Sequence, residues 1–164
     1  MDELDRQLIA GYMAIGSKQH RQKQRLTRIW YEFWNQSFTH CPQNVDENGN
    51  SQNSLRYDKQ VDAILDVASL IEDNQRVLAF KHHYWKRYLN TLETSERAYL
   101  VRRYRSNQPT ANDDTADLSA LNECNQIEEA AGHCFNLPAD RAVDIMTNNR
   151  DIDTMMNQVL GMIG

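Results

Sequence analysis

The chain has 164 residues, 25% charged and 40% hydrophobic, with a net charge of −5. This length can bury a full core without a disulfide or metal, and the composition is too apolar for disorder along its whole length. Six Gly and three Pro are too few for a turn-rich β protein. No apolar run approaches the roughly 18 residues of a membrane span, and the acidic start Met1-Asp2-Glu3 lacks the charge pattern of a secretory leader. The expectation is an all-α protein, a helical bundle, in a reducing cytoplasm.

In chain order, Leu4, Leu8, Ile9, Tyr12 and Met13 predict a short amphipathic helix over 2–14, interrupted at Gly16-Ser17. A second helix from about Ser17 to Phe38 begins basic and ends aromatic, with Leu26, Trp30, Phe33 and Trp34 at helical spacing. Residues 41–56 read as a linker, rich in Asn, Ser, Gly and Pro. Tyr57, Val61, Ile64, Leu65, Ala68 and Ile71 predict a third helix over 57–72. Val77, Phe80, Tyr84 and Tyr88 predict a fourth. A fifth carries Ala98, Leu100, Val101 and Tyr104, with N-cap chemistry near Asn90, Glu93, Thr94 and Ser95. After a loop at 106–116, three more helices are expected at 117–134, 138–148 and 151–163. The corresponding division is an N-terminal helical region (1–40), the linker, a central helical region (57–106) and a C-terminal region (107–164).

Charge is unevenly placed. Residues 1–105 hold 16 Lys and Arg against 13 Asp and Glu, whereas from Ser106 onward the count is 2 against 10. Two basic clusters stand out. One runs Lys18, Arg21, Lys23, Arg25, Arg28; the other runs Lys81, Lys86, Arg87, then Arg97, Arg102, Arg103, Arg105. Aromatic residues lie between these bases, a pattern suited to phosphate-backbone binding. It equally suits solvated helix faces with the aromatics turned into a core.

Cys41, Cys124 and Cys134 are odd in number and match no common zinc spacing, even with His40 and His133, so neither a disulfide framework nor a metal site is expected. Cys134, beside Phe135, reads as a buried small hydrophobe. Asp46, Asn48 and Asn50 lack the Gly position and closing Glu of a calcium loop. His82 and His83 point about 100° apart on a helix and make a poor chelate. No glycine-rich phosphate loop, GxSxG or HExxH is present, so an enzyme is not expected, nor a cofactor.

The segment 117–148 fits a helix-turn-helix register. Ala131 and Gly132 are the small pair, Asn136 is the turn residue, and Phe135 and Leu137 flank it. Pro138 opens the next helix, with Ala142 and Ile145 on its buried face. That second helix carries Asp140 and Asp144, with Arg141 as its cation until Arg150. Carboxylates repel phosphate, so either the upstream bases supply the phosphate contacts or the hairpin binds protein.

Read together, the order of features runs Ile29-Trp30 through Pro42, then Val45-Asp46-Glu47-Asn48-Gly49-Asn50-Ser51 with Asn53-Ser54, then the helix from Tyr57. Next come Leu92-Glu93-Thr94-Ser95-Glu96-Arg97-Ala98-Tyr99-Leu100-Val101-Arg102-Arg103-Tyr104, the segment 117–148 and the final Leu160-Gly161. This order resembles phage late-gene transcription regulators of the RinA and ArpU type, over about 25–164 and in pattern more than identity. The resemblance implies a sigma-like C-terminal helix-turn-helix that binds double-stranded DNA upstream of a late promoter and contacts host RNA polymerase in a bacterial cytoplasm. It implies phosphate contacts from Arg97, Arg102, Arg103 and Arg105, a base contact from Arg141, and partner contacts from Asp140 and Asp144. Helix-turn-helix activators are often symmetric dimers, so a homodimer is expected. Two other readings stay open: an acidic module that inhibits a host nucleic-acid enzyme, as anti-CRISPR or anti-sigma proteins do, and a small terminase subunit.

Overall fold

Helix α1 (Glu3–Met13) begins with a reciprocal cap. Asp5 N–H donates to Asp2 Oδ1 at 2.8 Å and Asp2 N–H to Asp5 Oδ2 at 2.9 Å, which satisfies two otherwise orphaned donors. The computed structural model describes residues 1–35, 55–106, 108–110, 113–137, 154, 157 and 158. Its further helices are α2 (Ile15–Trp34), α3 (Leu55–Thr91), α4 (Thr94–Leu100), a π-helical turn (Val101–Arg105) and α5 (Asp114–Phe135). The protein is all-α, with no strand among the described residues. None of the described helices is long and apolar enough to cross a membrane.

Two compact units share α2 and α3. The first combines residues 1–21 with 74–149; the second combines 22–73 with 150–164. The first has its core where Ile9, Tyr12 and Ile15 meet Leu78 and Trp85 of α3, Leu100, and Ala120, Cys124 and Ile127 of α5. The second packs Ile29 and Phe33 of α2 against Ile64, Val67 and Ile71 of α3. Each large aliphatic or aromatic side chain sealed in this way contributes about 1.5–3 kcal/mol of transfer free energy.

Several boundaries differ from expectation. The break between α1 and α2 falls at Ala14, and Gly16 lies inside α2, where an added Cβ would meet only His82 at 3.8 Å. The expected third and fourth helices are one helix, α3. One buried stripe along it runs Ile64, Val67, Ile71, Asn74, Leu78, Lys81 and Trp85, an unbroken alternation of three- and four-residue steps, with Ala68 and Val77 buried beside it. Two of them are polar, Asn74 and Lys81, and they hide the continuity from a reading of apolar spacing. The fifth helix is capped at Glu93, whose N–H donates to Glu96 Oε2 at 3.1 Å, and its C-terminal part winds as the π turn.

Some side chains also differ. Leu4 is 72% and Trp34 67% exposed, so neither belongs to the core stripes assigned to them. Cys134 is exposed, and the buried position belongs to Cys124, in phase with Ala120, Ile127 and Ala131. The turn expected at Asn136 is present: it adopts φ 50° and ψ 43°, and the N–H of Leu137 donates to Gly132 O at 3.1 Å. The expected helix at 138–148, with Pro138, Asp140, Arg141 and Asp144, lies outside the described residues, as does the linker through Ser54. Of the expected last helix, residues 154, 157 and 158 are described and helical.

Candidate functional site

The basic segment 97–105 occupies α4 and the π turn. A π turn accommodates an extra residue in a helix, and it rotates the side chains beyond it relative to an α-helical continuation. Here Ser106 N–H donates to Val101 O at 3.1 Å and Gln108 N–H to Arg102 O at 3.0 Å. Arg97, Arg102 and Arg105 are exposed, whereas Arg103 is drawn inward and its side chain is 16% exposed.

Arg103 closes a polar network around Asp117 of α5, a residue only 2% exposed. Its Nη1 donates to Tyr99 Oη at 2.7 Å, and its Nη2 lies 3.4 Å from Asp117 Oδ2. Tyr99 donates to Asp117 Oδ2 at 3.1 Å and Tyr104 to Oδ1 at 3.0 Å. The guanidinium also sits 5.7 Å from the centres of both tyrosine rings. Asp113, the N-cap of α5, accepts from Ala116 N–H with its carboxylate and donates its own N–H to Tyr99 Oη at 3.0 Å. A buried carboxylate with two phenols and a guanidinium has its lone pairs satisfied. Burial and Asp117 push the Tyr104 phenol well up, and burial raises Tyr99 as well. Burial works against the charge on Arg103, but Asp117 and the two tyrosines outweigh it and raise its pKa.

Beside this network is an open cavity of about 260 Å³ lined by Met1, Arg6, Arg103, Asp114, Asp117 and Leu118. Its lining mixes both charge signs, which suits neither an anion nor a cation alone. Among the described residues no group of three or more His, Cys, Asp or Glu is arranged to hold a metal ion.

The basic residues of α2 fall in both units. In the first, Lys18 is half-buried, and burial with Arg21 and Lys81 pushes its ammonium pKa down. Arg21 is exposed and its Nε donates to Ser17 O at 3.4 Å. In the second, Lys23 and Arg25 are exposed. Arg141, Asp140 and Asp144 lie outside the described residues.

Sequence reasoning missed the buried partners altogether. Asp117 carries no local signal that distinguishes it from Asp113 or Asp114. Lys81, assigned to a basic cluster, has a fully buried side chain bonded to Glu128. Its place on the buried stripe of α3 is the one signal that pointed inward. Compared with protein-family models, curated proteins and solved structures, the chain has no match.

Proposed function

We propose that this chain binds double-stranded DNA as a regulator of transcription, of the phage late-gene kind, with its phosphate contacts on the first unit. The observation that carries the reading is the set Arg97, Arg102 and Arg105. All three are exposed, and none makes an ion pair among the described residues. Arg103 is spent on holding the segment to α5, so its neighbours project from a fixed backbone. Lys18 and Arg21 of the same unit add further positive charge. Fixed, unpaired guanidinium groups are what a phosphate backbone recruits, since each neutralised phosphate releases counterions. Base reading falls to the segment after Asn136, with Arg141 as its cation.

The test is retention of fragmented phage or bacterial DNA by the purified chain at about 150 mM salt, followed by sequencing of the retained fragments. Enrichment of one short region ahead of packaging or morphogenesis genes is expected. Uniform or absent retention overturns the reading. A second reading, a protein-binding module directed at a host nucleic-acid enzyme, is favoured by the exposed acids Asp114 and Glu129 of α5. It predicts competition with DNA for that enzyme and no DNA affinity of its own.

A further inference from the structure

From Asn74 to Thr91, helix α3 has no Asp or Glu, and this acid-free run is bounded by Asp73 and Glu93. Its bases divide by the direction they face. Lys81 points into the core, where Glu128 holds it, and His82 is half-buried, its Cε1 3.8 Å from where a Cβ on Gly16 would stand. Arg76, His83 and Arg87 are exposed. At about 100° per residue these three fall within about 40° of one another, opposite Leu78 and Trp85 of the buried stripe. Lys86, also exposed, stands about 60° to one side of His83. They make one basic face, roughly 16 Å long at 1.5 Å per residue.

Neither Lys86 nor Arg87 makes an ion pair among the described residues. Arg87 is positioned without being neutralised: its guanidinium carbon lies 5.9 Å from the centre of the Tyr84 ring. That ring packs on Phe80 at 4.7 Å and on His83 edge-on at 5.2 Å, and Phe80 meets Phe135 of α5 edge-on at 5.5 Å. A cation ordered in this way loses less conformational freedom when it meets a partner. The helix alongside adds no opposing charge. Gln75 Nε2 donates to Gln19 O at 3.1 Å, and α2 has no acid from Ile15 to Arg21.

We propose that this outer face of α3 is a second contact for the phosphate backbone of duplex DNA, with Lys86 and Arg87 each meeting a phosphate. Of the large apolar side chains exposed among the described residues, this half of α3 carries only Tyr84, at 39%. A protein partner needs apolar surface to bury at the centre of its contact, and the face lacks it, whereas protein–DNA interfaces are polar and strongly positive. The inference rests on the reading that the chain binds DNA, and it extends the contact from Arg97, Arg102 and Arg105 to a further element of the first unit.

The test is fluorescence anisotropy of a labelled duplex of about 30 base pairs, titrated with the full chain over about 50–200 mM salt. Lys86→Gln with Arg87→Gln is expected to weaken binding about tenfold at about 150 mM salt. The same pair should lower the slope of log K against log salt by about 1.8, or 0.9 per phosphate. Gln is a good helix former, and circular dichroism checks that helicity is unchanged. The exchange Lys86→Arg with Arg87→Lys conserves charge and is expected to keep the wild-type slope. Lysine acetylation read by mass spectrometry gives an independent measure: bound duplex should shield Lys86 of the wild type. Unchanged affinity and slope in the glutamine variant, a slope lost equally in the exchange, or equal acetylation of Lys86 with and without duplex overturns this contact. The reading on Arg97, Arg102 and Arg105 then still stands. A wild type with no affinity for duplex overturns both.

Discussion

Lys81 Nζ lies 2.8 and 2.7 Å from the two carboxylate oxygens of Glu128, with no solvent exposure of the lysine side chain. The hydroxyl of Tyr12 donates to Glu128 Oε1 at 2.7 Å, and its ring packs on Trp85 with centres 5.3 Å apart. Three helices of the first unit, α1, α3 and α5, are tied at this one carboxylate. A buried pair is held in place by the cost of breaking it more than by the gain of forming it.

Glu128→Gln is therefore expected to destabilise the protein by about 3–5 kcal/mol, because a buried ammonium is left without its charge partner. The triple change Lys81→Met, Glu128→Leu, Tyr12→Phe removes all three polar groups together. It is expected to fall within about 2 kcal/mol of wild type. Urea unfolding midpoints of the two variants check the contrast.

Stability should decline at high pH. Burial and the nearby carboxylate raise the folded pKa of Tyr12 above its ordinary 10.0, and Cys124 is raised from 9.0 chiefly by burial. Tyr104 is raised in the same way. The unfolded chain loses these protons first, so their contribution is whole below the unfolded values and is lost as pH rises. Lys81 acts in the opposite sense: burial lowers it from 10.5, so its contribution grows with pH up to that value. Above about pH 10.5 only the falling contributions remain. Urea midpoints measured from pH 7 to 12 should drop steeply past that point and less steeply in Tyr12→Phe.

Asp117→Ala should cost about 1–3 kcal/mol, since it removes the shared acceptor of Arg103 and two half-buried phenols beside an open cavity. Tyr104→Phe removes one hydrogen bond and should cost about 1 kcal/mol. If both variants unfold at the wild-type urea concentration, the network does not hold α5 to the π turn.

On the DNA reading, replacing Arg97, Arg102 and Arg105 with Ala should weaken binding to every duplex. The slope of log K against log salt should shrink by up to about 2.7, or 0.9 per lost phosphate contact. Thermal unfolding of this variant should match wild type, because none of the three side chains makes an ion pair among the described residues. Arg103→Ala should show the reverse pattern, lower stability first and any DNA effect second.

Asn136 holds a left-handed backbone at φ 50°. Asn136→Gly should be neutral or stabilising by up to about 1 kcal/mol, and Asn136→Ala destabilising by about 1 kcal/mol. Differential scanning calorimetry of the two variants tests whether this cap ends α5 as described.

Much of the helical layout was legible in local chemistry. The Asn136 turn after Ala131-Gly132, the start of α1 and the stripe from Ile64 to Ile71 each follow from spacing or capping within a few residues. The continuity of α3 was not legible, because Asn74 and Lys81 look like surface residues until their surroundings are known. Nor was the difference between Arg102 and Arg103, adjacent cations with the same propensity and charge. Asp140, Arg141 and Asp144 lie outside the described residues.

By itself the sequence determined that this chain is helical, because helix formation depends on side-chain periodicity, caps and the scarcity of Gly and Pro, all of which act over a turn or two. The tertiary structure alone decided which charges are free to meet a partner. Lys81 is neutralised by a carboxylate 47 positions away and Arg103 by one 14 positions away. Whether a charge is spent internally depends on desolvation and on a counter-charge brought in by another helix, and neither is a local property.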